Sequence, residues 1–305
     1  MFYGLKHRPQ SEKKLPDTDV GDSDRHLWLE EAGRAGNSTY DILQDWIDYK
    51  AAGVSSSGEI IETAIKAVEI ADMAVDVYDY GMRGSLDPVQ NTEAAERILA
   101  ARYALVERLS EPAYAELVEP FDVDKYNMNA TVAENLIFGN PIGDAFDTER
   151  LVENPYVLEV LTKADLVEDL LGCGYQLAAT MLELFAGLPP EHELFQRFSF
   201  INSDDLPDYQ TLIMNCDKEN LNQLDEHERV GLMSLPFKLI PTRHRLGLLD
   251  DSMQAKILEA RKIFANDLPE DLYDSVELFD SDKYNSAATL QDNILFGKIV
   301  FGQAQ

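Results

Sequence analysis

The sequence predicts a mainly α-helical protein with a few short β-strands, built around a duplicated helix-link-helix unit. Three observations support this fold class. Apolar residues recur at helical spacing along most of the 305-residue chain, capping and proline signals mark where helices start, and one segment occurs twice. A chain of this length can bury about 75% of its unfolded surface, so it needs no disulfides or metals to fold.

The N-terminal third is expected to be helical after a polar entry segment. Apolar positions over 38–51 have helical spacing. Ser56 and Glu59 match the S-x-x-E capping box ahead of a second apolar stripe. Asp87-Pro88 places a capping carboxylate before a proline and predicts a helix that runs to about residue 109.

The central region contains the best candidate for a buried helix. Asn154-Pro155 repeats the cap-and-proline device, and the mostly apolar stretch 166–185 predicts a core helix. Short strands are expected at 198–202 (FSFIN) and 237–241 (FKLIP). The predicted regions are a flexible entry segment (1–26), an N-terminal helical region (27–93), the first repeat copy with a helical subdomain (94–190), an α+β connecting region (191–251) and a truncated second copy (252–305).

The duplication lies in Glu119–Gly139, EPFDVDKYNMNATVAENLIFG, and Glu277–Gly297, ELFDSDKYNSAATLQDNILFG. Twelve of the twenty-one aligned positions are identical, and the match extends upstream to ILAAR ending at Arg102 and ILEAR ending at Arg261. Each copy also places a threonine three residues before an acid, which predicts a capped helix. We therefore expect both copies to adopt the same helix-link-helix geometry.

Each copy contains the string Phe-Asp-x-Asp-Lys-Tyr-Asn, at Phe121–Asn127 (link one) and Phe279–Asn285 (link two). Two carboxylates, an ammonium and an aromatic ring on an irregular segment are typical of a partner contact. The alternative is simple loop structure, in which the tyrosines only pack against their own helix. The candidate partner-contact residues are Phe121, Asp122, Asp124, Lys125, Tyr126, Asn127, Phe279, Asp280, Asp282, Lys283, Tyr284 and Asn285.

Net charge and cysteine content limit the binding partners and the cellular location that can be expected. The chain has 56 acidic and 26 basic side chains, a formal charge of −30, and such a surface repels phosphate groups, so neither nucleic acid nor direct membrane insertion is expected. Cys173 and Cys216 form no CxxC pair, which argues against a zinc site and favours a reducing, cytoplasmic location. No stretch reaches the ~18 consecutive apolar residues of a membrane span.

The string ATVAENLIFG of the first copy, and ATLQDNILFG of the second, resemble the segment that follows the Q-loop in exporter-type ABC transporter ATPases. The stretch NPYVLEVLTKADLVEDLLGCG from Asn154 resembles the helical subdomain of that family, and the opening FYGLKHRP resembles the end of its Walker A helix. This resemblance covers about a third of the chain. It implies a fragment or insert between the Walker A helix and the signature motif of such an ATPase.

The sequence departs from the family pattern where the chemistry would lie. Val123 and Ser281 stand at the place usually taken by the Q-loop glutamine, so neither copy supplies the metal-contacting amide. Gly53–Gly58 has the glycine spacing of a phosphate loop but continues into Glu59, whose charge would repel phosphate. We therefore expect no catalytic, cofactor-binding or metal-binding residue in this chain.

The leading hypothesis is a non-catalytic cytoplasmic regulatory or coupling insert of an ABC transporter ATP-binding protein. The resemblance implies that its partners are the rest of the ATPase and the membrane domain, and that ATP and magnesium bind in the parent protein. The alternative is a freestanding acidic helical adaptor with two similar docking surfaces. An enzyme of another type is disfavoured because no acid, base and nucleophile converge.

Overall fold

Helices dominate the structure, a computed structural model that describes residues 23–37, 46–187, 189, 200–202, 204–216 and 218–303. The strands among those residues are each three residues long, so the predicted fold class is confirmed. The chain divides into two compact units, Met1–Gly81 and Met82–Gln305. Both copies of the repeat lie in the second unit.

The first unit has three helices among its described residues: α1 (Ser23–Arg34), α2 (Ser57–Ile70) and α3 (Ala74–Met82), whose last residue belongs to the second unit. Helix α1 includes 23–26, so the predicted entry segment is helical at its end; residues 1–22 lie outside the described part. Ser56 caps α2 by position but not by its side chain. The Glu59 carboxylate instead accepts from the backbone N–H of Ser55 at 3.0 Å.

The prediction of a helix over 38–51 is wrong for the residues of this segment that the structure describes. Residues 38–45 lie outside the described part, and 46–51 contain a turn rather than a helix. The Asp48 carboxylate accepts from the N–H of Ala51 at 3.2 Å. An aspartate that bonds its neighbouring backbone in this way competes with helical hydrogen bonding, which explains the difference.

The second unit contains the repeat and the core. Helix α4 (Thr92–Leu109) starts later than predicted. Asp87 caps a separate turn by accepting from the N–H of Val89 at 2.8 Å, and Asn91 takes the N-cap position of α4. The helices and strands of this unit are α4 (Thr92–Leu109), β1 (Val118–Pro120), α5 (Val132–Ile137), β2 (Gly139–Pro141), α6 (Pro155–Lys163), α7 (Val167–Leu184), α8 (Leu206–Asn215), α9 (Glu226–Ser234), α10 (Pro241–His244), α11 (Asp251–Asn266), β3 (Val276–Leu278), α12 (Leu290–Leu295) and β4 (Gly297–Ile299).

The core centres on α7, as predicted from its apolar run. Helix α7 packs against α8, α9 and the 3-10 helix Leu235–Lys238, and Leu170, Leu171 and Leu177 are fully buried in it. Gly174 permits the contact with α9, since a Cβ there would collide with the carbonyl group of Leu232. Replacing Gly174 with any larger residue would therefore force α7 and α9 apart.

The predicted strand at 237–241 is wrong, and that at 198–202 is not supported. The first segment is split between the 3-10 helix Leu235–Lys238 and α10. Pro236 and Pro241 each occupy a helix start, where the missing N–H is tolerated and the fixed φ favours a helical turn. Residues 200–202 are not in a strand, and 198–199 lie outside the described part.

In the part of the chain that the structure describes, the strands pair only between the two copies. Strand β1 of copy one pairs antiparallel with β4 of copy two, and β2 of copy one pairs antiparallel with β3 of copy two. The glycine that ends each repeat permits this approach. A Cβ at Gly139 would lie 2.7 Å from the carbonyl oxygen of Glu277, and one at Gly297 would lie 2.5 Å from that of Glu119.

The helices that precede the links, α4 and α11, also pack against the opposite copy. Helix α4 of copy one packs on α12 of copy two, and α11 of copy two packs on α5 of copy one. Each of these contacts therefore occurs twice with the copies interchanged, which is the pattern of a two-fold related pair. The duplicated helix-link-helix unit predicted from the sequence is present. However, the upstream helix of each copy packs against the other copy, and the strands of each copy pair with those of the other.

Candidate functional site

The two links leave β1 and β3 and lead into α5 and α12. In link one the Asp122 carboxylate accepts from the N–H of Asp124 at 3.0 Å and forms an ion pair with Lys125 at 3.1 Å. In link two, Asp280 accepts from the N–H of Asp282 at 2.9 Å, with an ion pair to Lys283 at 2.8 Å. Each link is thus a closed turn fixed by its first aspartate.

These contacts favour the ionised carboxylates. The backbone hydrogen bond from Asp124, with a smaller contribution from Lys125, lowers the pKa of Asp122. The hydrogen bond from Lys283, followed by that from the N–H of Asp282, lowers the pKa of Asp280. Both first aspartates therefore stay charged, and their role is to shape the turn.

Arg261 of α11 holds link one from the inside. Its Nη1 atom donates to three carbonyl oxygens, of Asp122 at 3.0 Å, Val123 at 2.9 Å and Lys125 at 3.0 Å. Its Nε donates to the carbonyl of Asn135 at 2.7 Å, and its Nη2 to the Asn135 side chain at 3.0 Å. The residue is only 2% exposed, so its charge is met by carbonyl dipoles rather than by water.

Arg102 of α4 does the same for link two. Its Nη1 donates to the carbonyls of Asp280 at 3.1 Å, Ser281 at 2.7 Å and Lys283 at 2.9 Å. Its Nε and Nη2 donate to the main-chain and side-chain oxygens of Asn293, at 2.7 and 3.1 Å. Burial lowers the pKa of both arginines, that of Arg261 to about 10. Each copy thus supplies the arginine that fixes the other copy's link.

A pair of asparagines closes each link onto its short helix. The Asn135 side chain accepts from the N–H of Asn127 at 2.8 Å and donates to the carbonyl of Asn127 at 2.9 Å. Asn293 and Asn285 repeat both bonds at 2.8 Å. All four asparagines are buried. Asn127 and Asn285, expected as partner contacts, are therefore internal and serve to hold the links.

Four phenylalanines meet between the copies. Phe121 and Phe279, the first residues of the two links, stack with ring centroids 4.3 Å apart. Phe138 and Phe296 meet them edge to face. The guanidinium of Arg261 lies 4.4 Å from the Phe138 ring centroid, and that of Arg102 lies 4.5 Å from that of Phe296. The two link phenylalanines thus contact each other across the pseudo-two-fold pair.

The tyrosines are core residues, which corrects their assignment as partner contacts. Tyr126 and Tyr284 are buried. The Tyr284 hydroxyl accepts from the N–H of Leu86 at 3.2 Å, whereas the Tyr126 hydroxyl has no hydrogen-bond partner among the described residues. The N–H of Val132 in α5 donates to the carbonyl of Leu239, just as that of Leu290 in α12 donates to the carbonyl of Gly84. Two residues further on, Pro241 therefore takes the place of Leu86, and proline has no N–H to offer.

The exposed part of each link is smaller than the sequence indicated. Asp124 and Lys125 of link one, and Asp282 and Lys283 of link two, are exposed, and we call these two pairs the tips. Phe121, Asp122, Phe279 and Asp280 are half-buried. The other copy reaches each tip as well: Lys262 lies 3.9 Å from Asp124, and the Tyr103 hydroxyl donates to Asp282 at 3.2 Å.

The two halves also differ in the ion pairing between the last strand of one copy and the short helix of the other. Lys298 in β4 contacts Glu134 of α5 at 2.6 Å, but the matching positions in the other half hold Asn140 and Asp292. A cavity of about 180 Å³ lies here, lined by these four residues together with both link phenylalanines and Arg102. The strand pairing and the arginine contacts are thus repeated in both halves, whereas the charges at this position are not.

Arg102 and Arg261, which organise the site, were not predicted from the sequence. The signal was present in the matched ILAAR and ILEAR strings, but nothing in the sequence showed that each arginine reaches the opposite copy. Val123 and Ser281 contribute a carbonyl to this contact, and their side chains are exposed. Neither offers an amide where the resembling family has its glutamine.

The fold and site define a helical protein in which two fused copies of one unit present two similar tips. Among the described residues, no three His, Cys, Asp or Glu side chains are grouped so that they could hold a metal ion. None of the described helices combines the length and apolar character needed to cross a membrane. No protein-family model, curated protein or solved structure matches the chain significantly.

Proposed function

We propose that this chain is a non-catalytic cytoplasmic regulatory or coupling region of an ABC transporter ATP-binding protein, and that it supports ATP-driven transport in the full-length protein. The observation that carries the proposal is the pair of tips, Asp124-Lys125 and Asp282-Lys283, exposed on links that buried arginines hold from inside. Docking surfaces of this kind bind through charge and shape, without chemistry of their own.

Fixed turns suit a docking role because binding does not have to order them. Arg261 and the first aspartate fix the main chain of link one through four hydrogen bonds. A flexible loop would lose side-chain and main-chain entropy on binding, which weakens affinity. The low entropy cost of binding a fixed turn therefore favours recognition by the tips over a purely structural role for their charged side chains.

The resemblance to the segment after the Q-loop supplies the partners. In this proposal they are the rest of the ATPase and its membrane domain, and ATP with magnesium binds in the parent protein. The chain alone would neither hydrolyse ATP nor bind it, because no lysine-bearing phosphate loop is present in the sequence. Calorimetry with magnesium-ATP is expected to show no binding, and a low-micromolar affinity would contradict this part of the proposal.

A freestanding adaptor is the second candidate, and one observation favours it. The hydrophobic core of the second unit runs without interruption from α5 through α7 to α11, so this unit buries its own core without a neighbouring ATPase domain. The coding sequence on both sides separates the two proposals. A GxxxxGK[ST] motif upstream and a signature motif downstream in one reading frame support the coupling region; independent start and stop codons support the adaptor.

The tips themselves are tested by removing their charge while keeping their size. In the parent transporter, the variant with Asp124→Asn, Lys125→Gln, Asp282→Asn and Lys283→Gln is expected to reduce ATP-driven transport about tenfold. Its melting temperature should fall by only a few degrees at most, because the ion pairs it removes are exposed. The matched control is Arg150→Gln with Glu153→Gln, another exposed pair three residues apart. Transport that is equal in both variants would refute the docking role of the tips.

A further inference from the structure

Helix α2 presents an apolar face that is largely exposed. Its fourteen residues include none that is buried. At 100° per residue, the apolar positions 60, 61, 64, 65 and 68 fall within an arc of about 140°. Ile61 is 65% exposed and Ile65 is 53% exposed. This is the pattern of an amphipathic helix whose apolar face is exposed.

Helix α3, which follows α2 after a short turn, also has exposed apolar side chains. Val75 is 72% exposed and Tyr78 is 64% exposed, and the two side chains are three residues apart, so they share a face. The turn between the helices is closed by the N–H of Met73, which donates to the carbonyl of Val68 at 3.0 Å. The exposed apolar side chains of α2 and α3 are therefore consecutive along an ordered helix-turn-helix segment.

Charge decides what can cover this surface. Between Ser57 and Met82 the chain carries six acidic side chains and one basic side chain, Lys66. All seven are exposed. At 100° per residue, the acidic positions 62 and 69 of α2 lie within about 60° of one edge of the apolar arc, whereas 59 and 66 lie opposite it. An anionic lipid surface would be repelled, and so would the same face of a second copy of this chain.

We propose that α2 and α3 form a docking surface for a basic amphipathic helix of another protein. Apolar side chains on that helix would cover the arc that contains Ile61 and Ile65, and its lysines or arginines would face the flanking carboxylates. The surface lies in the first unit and uses none of the tip residues. It stands whether or not the coupling role of the links is correct.

The test uses the full chain and a synthetic helix of leucine and lysine, equal in length to α2, with leucines at helical spacing. A leucine-glutamate peptide of the same pattern is the peptide control. Ile61→Glu with Ile65→Glu is compared with Lys66→Glu, because both variants lower the net charge by two but only the first changes the apolar face. Glutamate is a better helix former than isoleucine, so α2 is retained; circular dichroism checks this.

Fluorescence anisotropy at low salt is expected to show that wild type and Lys66→Glu bind the leucine-lysine peptide, while the double isoleucine variant binds at least tenfold more weakly. Equal binding by both variants would mean that net charge alone attracts the peptide, and the proposal would fail. Equal binding of the leucine-glutamate peptide would also overturn it. So would sedimentation of wild type as a dimer that the double isoleucine variant abolishes, because a second copy would then be the occupant.

Discussion

Two buried arginines, Arg102 and Arg261, hold the two links in place by hydrogen bonds to their main-chain carbonyls. Neither Arg102 nor Arg261 has a carboxylate hydrogen-bond partner in the described structure; both bond to main-chain carbonyls and an asparagine side chain. A planar guanidinium offers five donors in fixed directions, which a lysine cannot reproduce. The cost of burying the charge is offset by donors that are nearly all satisfied and by the adjoining phenylalanine ring.

Replacing Arg102 with methionine is therefore expected to be severely destabilising. Three carbonyls of link two and the Asn293 side chain would lose their donor, and each buried unsatisfied group costs about 1–3 kcal/mol. We expect a loss of at least about 3 kcal/mol in the free energy of unfolding, measured by urea denaturation. Arg97→Met, at an exposed position on the same helix, is the control and should change stability by less than about 0.5 kcal/mol. Equal effects would contradict the role of Arg102.

The two link tyrosines offer a matched comparison of one hydroxyl. Tyr284→Phe removes the acceptor for the N–H of Leu86 and should cost about 0.5–1.5 kcal/mol. Tyr126→Phe removes a buried hydroxyl without a partner among the described residues, so it should be neutral or stabilising. Thermal unfolding of both variants measures the difference. A larger loss for Tyr126→Phe than for Tyr284→Phe would show that the Tyr126 hydroxyl has a partner.

At the scale of elements, the short helices α5 and α12 depend on their surroundings. Each has six residues, too few to be stable alone. Thr131 and Glu134 form a reciprocal capping box on α5, and Thr289 caps α12 by accepting from the N–H of Asp292. Both helices end at a phenylalanine in the left-handed region, Phe138 and Phe296. Local capping therefore sets where they begin, and the exchanged arginines hold them in place.

Glu134 links this capping to strand β4, and its ionisation should be visible in stability. Burial opposes the charge on Glu134, but Lys298 and the hydrogen bonds of Thr131 outweigh it and lower the pKa. A folded-state pKa below the unfolded value means that the stabilisation is full above about pH 4.3 and is lost as pH falls through the folded pKa. Urea unfolding from pH 3 to 7 should show that this contribution is missing in Glu134→Gln.

The control for that series is Glu96→Gln, which removes an exposed glutamate on α4. Its pH dependence should match wild type, while that of Glu134→Gln should be shallower between pH 3 and 5. If the curves of Glu134→Gln and wild type stay parallel over the whole range, the ion pair with Lys298 contributes nothing to stability.

At the scale of the whole molecule, the exchange of strands, helices and arginines makes the copies interdependent. Residues 82–250 alone lack β3, β4 and Arg261, so β1, β2 and link one would lose their partners. We expect this fragment to show no cooperative unfolding transition by circular dichroism, and addition of 251–305 to restore one. The control, 82–305, keeps both copies and should unfold cooperatively. Cooperative unfolding of 82–250 alone would refute the interdependence.

Part of the candidate site could be read from the repeat alone. The duplicated strings located both links, and the exposed Asp124, Lys125, Asp282 and Lys283 were among the residues named from them. The tyrosines and asparagines of the same strings were misassigned, because composition alone does not tell a buried partner of a short helix from an exposed contact. Only their position against α5 and α12 distinguishes the two.

The sequence by itself determined the helical fold class, the duplication and the caps of α5, α6 and α12, because apolar spacing and capping act over a few neighbouring residues. It could not determine that β1 pairs with β4, or that Arg102 and Arg261 cross between the copies. Those contacts join residues more than a hundred positions apart, and either copy could in principle have satisfied its own arginine. Tertiary packing selected the exchanged arrangement, in which both links are held from inside and both tips face outward.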